Sequence, residues 1–182
     1  MPMPISQHEV GILTLLAAQL GCPKSVYRLA KIYRSNGDVR GWLVNLKKAA
    51  ALGVPEAQCS LGVALVAGNE VEKRQPRMGF AWMWRAAEKF VPEALFAIGI
   101  CCWHGVGTPR DRDKGFLFMQ TAAKQHYSMA YLVLAKMCLT KSTLQVANQW
   151  LDKVKEVGVD ALARCIGEHH VLGESPPVVS LK

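Results

Sequence analysis

One signature recurs along the chain: an alanine followed four residues later by leucine or isoleucine, and then by glycine or alanine. It stands at Ala57/Leu61-Gly62, at Ala94/Ile98-Gly99 and at Ala130/Leu134-Ala135. A serine-led variant starts at Ser25 with Leu29-Ala30, and a worn copy starts at Leu162 with Ile166-Gly167. A second motif keeps step with the first. Ala17-Ala18, Ala49-Ala50, Ala86-Ala87 and Ala122-Ala123 each begin eight residues before the next start, and Val154-Lys155 takes the fifth place. The starts at 25, 57, 94, 130 and 162 give periods of 32, 37, 36 and 32 residues. Two motifs held at one offset over such a period restrict the chain to a stacked array, in which each unit buries its apolar face only against its neighbours.

The residue types give the unit its shape. Alanine and glycine at fixed helix positions let neighbouring helix backbones approach closely. Glycine inside a helix costs about 1 kcal/mol relative to alanine, so Gly62 and Gly99 predict contacts without room for a methyl group. Pro23, Pro55 and Pro92 each precede a start by two residues, where a first helical turn tolerates the missing N–H. Ser128 and Asp160 hold that place in the later copies and can cap instead. Eleven residues after the starts lie Asn36, Gly68 and Gly105, which suit a left-handed helix end; Lys141 departs from that pattern.

In chain order, Ser6-Gln7-His8-Glu9 opens a lone helix through Leu20. Helix pairs follow near 24–51, 56–89, 93–125 and 128–157, then a short helix from about Asp160 to His170 and an extended tail with Pro176-Pro177. The expected organisation is an N-terminal capping helix over 1–23, a solenoid over 24–170 and a flexible tail over 171–182. The expected fold class is all-α: a right-handed α-solenoid of antiparallel helix pairs, about four repeats plus terminal half-repeats.

Composition narrows the function classes. Hydrophobic residues at 51% and charged residues at 20% make a globular chain. The longest apolar runs, such as Ala94 to Trp103, are too short to span a bilayer. MPMPISQHEV has no basic n-region, so the expected location is the cytoplasm. The net charge of +8 favours acidic partners, but it is spread: residues 1–100 hold 12 Lys/Arg against 7 Asp/Glu, and residues 101–182 hold 10 against 7. The cysteines at 22, 59, 101, 102, 138 and 165 lack paired CxxC spacing and read as buried free thiols. Cys102 and Cys138 fall in one repeat column, and stacked helices set such residues about 8–10 Å apart across their axes, too far for a disulfide without movement.

These motifs resemble the Sel-1-like repeat, a relative of the tetratricopeptide repeat. That unit has an Ala-x-x-x-Leu-Gly first helix, a Gly-x-Gly-Val-x-x-Asp turn and a second helix ending in Lys-Ala-Ala near a glycine. Ala94, Ile98-Gly99, Gly105-Val106-Gly107, Asp111, Lys114 and Ala122-Ala123 follow it nearly throughout. The second copy keeps Ala57, Leu61-Gly62, Gly68, Trp84 and Ala86-Ala87, with Asn69-Glu70-Val71 replacing the tighter turn; the first and fourth copies have shortened turns. The likeness covers residues 10–168. It implies a curved scaffold or adaptor, with the first helices lining a concave side that takes a protein or peptide, in roles such as bacterial immunity, chaperone-like or signalling adaptor.

The first helices of the middle copies, AQCSLGVALVAG and ALFAIGICCWHG, are apolar almost all round, which suits either core or a recognition surface. Val63 and Ile100 share one column; Cys59, Phe96 and Leu132 share another. Lys24, Arg28 and Lys31 lie on one helix face, and Lys136 shares the column of Lys31. Arg28, Lys31, Val63, Phe96, Ile100, Trp103 and Lys136 are therefore the candidate partner-binding residues, apolar ones for area and cations for steering toward an acidic partner. Trp82, Trp84, Trp103, Phe116 and Phe118 read as wedges between repeats or as exposed binding aromatics. Lys73, Arg74 and Arg77 read as a solvated loop or as mobile contacts.

No catalytic residue, metal or cofactor is expected. Cys165 and His169 stand at i, i+4 with His170 next, a poor metal set on a terminal helix. Cys101-Cys102-Trp103-His104 invites a nucleophile reading, but no carboxylate or amide partner is placed by sequence. P-loop, Rossmann, HExxH and GxSxG patterns are missing from the sequence. The alternative reading is a nucleic-acid-associated basic helical repeat, which no basic track alongside the aromatics supports. A third is a hydrolase-like cysteine-rich repeat enzyme. Self-association through an open repeat end is a further expectation.

Overall fold

The computed structural model describes residues 7–68, 73–140 and 144–157. Among these the chain forms nine helices and no strand: α1 (Gln7–Gln19), α2 (Pro23–Ser35), α3 (Val39–Ala51), α4 (Pro55–Ala67), α5 (Pro76–Ala87), α6 (Pro92–His104), α7 (Arg112–Lys124), α8 (Ser128–Thr140) and α9 (Leu144–Val157). Helices pack in sequence order as a solenoid of helix pairs, α2/α3, α4/α5, α6/α7 and α8/α9, with α1 a lone second helix. The expected pairs match these elements closely. Ser6, the expected helix at Asp160–His170, the Cys165/His169/His170 group and the 171–182 tail lie outside the described residues.

Local chemistry sets the helix ends. Pro23, Pro55 and Pro92 are the first residues of α2, α4 and α6, and Ser128 takes the same place in α8. Asp38 and Asp111 cap α3 and α7, accepting from the Gly41 and Lys114 amides at 2.8 and 2.9 Å. The expected left-handed end at Asn36 is not found: Asn36 has φ −85°, and Gly37 behind it takes the positive φ of 77°. A residue without Cβ one step later makes the same reversal without steric cost.

The Ala-Ala pairs serve two ends. Ala49, Ala50, Ala86, Ala122 and Ala123 are at most 1% exposed, packed where neighbouring helices meet. Their carbonyls also close the second helices. Gly53 donates to Ala50 O and Val54 to Ala49 O; Phe90 donates to Ala87 O, and His126 and Tyr127 donate to Ala123 O and Ala122 O. This is the paired bond pattern of a Schellman end, with Gly53, Phe90 and His126 at φ 85°, 57° and 60°.

Two core clusters run through the stack and share α4. One surrounds Leu46 and Leu61, and the other surrounds Met83, Ile98, Met119 and Leu134. The two middle pairs are pinned by glycine. A Cβ on Gly62 would lie 2.7 Å from the Gly79 carbonyl oxygen, and one on Gly99 would lie 3.0 Å from that of Gly115. Backbone therefore touches backbone, which answers why glycine stands at these helix-interior sites despite its propensity cost. The α4 and α6 helices also touch directly, so the first helices of the two middle repeats lie side by side.

Candidate partner-binding face

Each first helix presents one face to solvent, at positions one before and three, six and ten after the repeat start. The residues there follow helical spacing, so they form one strip per helix. In α2 the strip is Lys24, Arg28, Lys31 and Ser35, all exposed. In α4 it is Glu56, Ser60, Val63 and Ala67, and in α6 it is Glu93, Ala97, Ile100 and His104. In α8 it includes Met129, Val133 and Lys136. Glu56, Ala67, Glu93, His104 and Lys136 are exposed, and Ser60, Val63, Ala97, Ile100, Met129 and Val133 are half-buried. Several of these apolar residues pack onto the core from above, leaving their outer surface open.

A hydrogen bond beside the strips joins two of the first helices. The Tyr27 hydroxyl and Ser60 Oγ lie 3.3 Å apart, joining α2 to α4. Burial pushes the Tyr27 phenol above its usual value, opposed by the Ser60 bond and reinforced by Cys59, Glu56 and Glu93.

Of the candidate residues, Arg28, Lys31, Val63, Ile100 and Lys136 are on this face. Lys31, Val63, Ile100 and Lys136 share the sixth position of successive repeats, so two columns noted separately in the sequence are one line. Repeat-by-repeat alignment was the signal that would have joined them. Two candidates belong elsewhere. Phe96 is only 8% exposed, and its ring packs 5.3 Å from that of Tyr127, so it is core. Trp103 follows Gly99 by four residues and therefore faces its own second helix, where a Cβ on Gly115 would meet its backbone. Arg112 of α7 lies over its indole at 5.4 Å. The wedge reading is met at Trp84, whose ring stands edge-on to Phe118 of the next repeat at 5.8 Å.

Arg74 and Arg110 hold positions that sequence reading missed. Each directly precedes the cap residue of a second helix, and each donates through Nε to a terminal carbonyl of the preceding first helix, Val66 O at 2.9 Å and Trp103 O at 3.3 Å. Aligning Arg74-Gln75 with Arg110-Asp111 would have revealed them. Arg74 is a helix-end ligand here, not a free loop cation.

The thiols of the CCWH element pack in the core. Cys101 and Cys102 are buried, as are Cys59 and Cys138. Burial above all pushes the Cys59 thiol up to about 12, aided by Glu93 and Glu56, and burial also raises Cys102. A nucleophile must reach the thiolate form, which these surroundings oppose. Cys22 departs from the buried-thiol expectation: it is exposed at the start of α2, where hydrogen bonds from Ser25 lower its pKa. Among the described residues no group of three or more His, Cys, Asp or Glu is placed to hold a metal, and no helix is long and apolar enough to cross a membrane. A cleft of about 300 Å³ lined by Lys47, Leu61, Leu65, Gln75, Met78 and Trp82 opens between α3, α4 and α5, with no residue of the first-helix face in its lining.

The family model for the Sel1 repeat matches at residues 55–89 and 92–127, the two glycine-pinned pairs. The chain contains two Sel1 repeats. Solved structures similar to this Sel1 array include c5321, a protective antigen present in uropathogenic Escherichia coli strains displaying an SLR fold, with TM-score 0.71 and 24% identity over 82% of this chain and 34% of that one. A Sel1 repeat protein from Oxalobacter formigenes matches with TM-score 0.67 and 22% identity over 93% of this chain and 51% of that one. Helicobacter pylori cysteine rich protein B matches with TM-score 0.53 and 15% identity over 71% of this chain and 98% of that one. The Sel1 array thus spans about a third and a half of the length of the first two. No curated protein sequence matches the chain. Sel1 repeat proteins are generally non-enzymatic scaffolds for protein–protein interaction.

Proposed function

We infer that this Sel1 protein is a non-catalytic adaptor that binds a partner polypeptide on the open, concave face of α2, α4, α6 and α8. The observation that carries the reading is the composition of that face: half-buried Val63, Ala97 and Ile100 in the centre, with exposed Arg28, Lys31 and Lys136 at the two ends. An apolar centre supplies area that water leaves on binding, and outlying cations steer an acidic partner and sharpen its register. The two middle repeats each hold their helix pair by backbone contact, so the central part of the surface is pre-formed and binding avoids much ordering cost.

The test is site-specific photo-crosslinking from position 60 on this face and from position 44 on the second-helix side. A partner captured from position 60 alone, and lost with Ile100→Asp while the circular dichroism spectrum stays helical, supports the assignment. Capture from position 44 that survives Ile100→Asp overturns it. Reversing Arg28 and Lys31 to glutamate should slow association at low salt; an unchanged rate removes those two residues from the role.

A further inference from the structure

We propose that the occupant of this face is an extended acidic segment, with two carboxylates nine residues apart and two apolar residues at the third and sixth steps between them. The proposal rests on the adaptor reading above and deepens it.

The register comes from the line Lys31, Val63, Ile100 and Lys136, one residue from each successive first helix. Packed helices lie about 8–10 Å apart, and extended chain advances about 3.3 Å per residue. A segment crossing the helices therefore meets a new repeat roughly every three residues, and the span from Lys31 to Lys136 takes about nine. A helical segment, rising about 1.5 Å per residue, would need about twenty residues for the same span.

The floor beneath the line suits apolar side chains only in the middle. Three residues after the start stand Ser60 and Ala97 in the central helices, small side chains that leave room over the core, whereas α2 has Arg28 there and α8 has Val133. Ser60 and Ala97 stand beside the third and sixth steps of the segment. The lip toward the helix starts carries Glu56 and Glu93, both exposed. Two carboxylates there repel an acidic segment from that lip and hold it on the lysine line.

The experiment pans the full chain against a displayed library of random twelve-residue peptides. Recovered peptides should carry Asp or Glu at two positions nine apart with Leu, Ile, Val, Met or Phe between them at the third and sixth steps. Lys31→Glu should weaken a recovered peptide about tenfold at low salt and switch selection at one end from acid to Lys or Arg; Lys136→Glu should do so at the other end only. Peptides that bind, are lost with Ile100→Asp and show no such spacing overturn the segment while leaving the adaptor reading standing. Peptides whose binding ignores Ile100→Asp, or a library that yields none, overturn both.

Discussion

The first repeat and the two middle repeats pack the same helix pair by different means. In α4/α5 and α6/α7 the crossing point is glycine on glycine, Gly62 with Gly79 and Gly99 with Gly115, so backbone atoms set the distance. In α2/α3 the corresponding residues are Ala30 and Trp42, and the indole fills the crossing with Arg34 over it at 4.9 Å. Burial lowers the Arg34 pKa from its usual value, as expected for a guanidinium drawn partly out of water. Backbone contact leaves one possible spacing, whereas a side-chain wedge depends on which rotamer and neighbour fill the gap. The middle repeats therefore fix the spacing within their own helix pairs, and they are the two that match the family model. The first repeat sets its pair with a side chain and carries charge on its exposed face.

Thiol chemistry should show this contrast most strongly. With a thiol-reactive dye at mildly alkaline pH, Cys22 of the first repeat should react quickly, whereas Cys59, Cys101 and Cys102 of the middle repeats should react more than about a hundredfold more slowly until denaturant opens the core. Cys22→Ser identifies the fast phase. Comparable rates at all sites would mean that the middle repeats open as readily as the end. The pH dependence has a definite sign. Below pH 9 the Cys59 thiol is neutral in both states; above it the unfolded thiol ionises while the buried one, pushed up to about 12, does not. The urea midpoint should fall as pH rises from 9 toward 12, and by less in Cys59→Ala.

Next in size is loss of the methionines that sit against the glycines. Met83 and Met119 are at most 1% exposed, so Met83→Ala or Met119→Ala should each destabilise by about 3 kcal/mol in urea unfolding. Adding one carbon at the crossing should act in the same direction: Gly79→Ala places a Cβ 2.5 Å from the Gly62 carbonyl oxygen, and overpacking of this kind costs about 2 kcal/mol. Gly11→Ala in α1 provides the opposite case. A Cβ there meets nothing within 4 Å, so the change should stabilise by up to about 1 kcal/mol through helix propensity alone. Equal effects at Gly79 and Gly11 would remove backbone contact as the explanation of the middle repeats.

A smaller gain is expected at Gln58. It is 6% exposed in a position held by Val26, Leu95 and Tyr131 in the other repeats. Its Nε2 donates to Ala50 O at 3.2 Å, but its Oε1 has no hydrogen-bond partner. An unpaired buried acceptor costs about 1–3 kcal/mol and the donated bond returns about 1, so Gln58→Leu should raise stability by about 1 kcal/mol. A loss of more than that amount would show that the amide bond to α3 matters to the joint between the first and second repeats.

Most of the fold was legible because both motifs are local consequences of helix packing. Alanine pairs, prolines and glycines report backbone proximity at fixed spacing, and they placed four helix pairs before any contact was known. The site was less legible because exposure depends on which side of a helix meets its partner. Phe96 and Ile100 are equally apolar in sequence, but Tyr127 covers the one and leaves the other open. Trp103 lies on the glycine side of α6, a placement that the sequence does not mark because the helix is apolar almost all round. Arg74 and Arg110 look like loop cations until the carbonyls beneath them are seen.

The smallest predicted effect concerns the ends of the second helices, where the four joints use one conformation and different residues. Gly21 and Gly53 occupy the left-handed position after α1 and α3, but Phe90 and His126 occupy it after α5 and α7. A non-glycine residue pays about 1–2 kcal/mol for that conformation. The Phe90 ring recovers little of it by packing, since the residue is 68% exposed. Phe90→Gly relieves the strain and adds roughly 0.5–1 kcal/mol of backbone entropy to the unfolded chain, so the net gain should be about 0.5–1 kcal/mol. Gly53→Ala runs the exchange backwards at φ 85° and should lose about 1 kcal/mol. If Phe90→Gly instead destabilises, the phenylalanine makes contacts that its exposure does not reveal, and the joint between the two middle repeats is held by a side chain as well as by backbone.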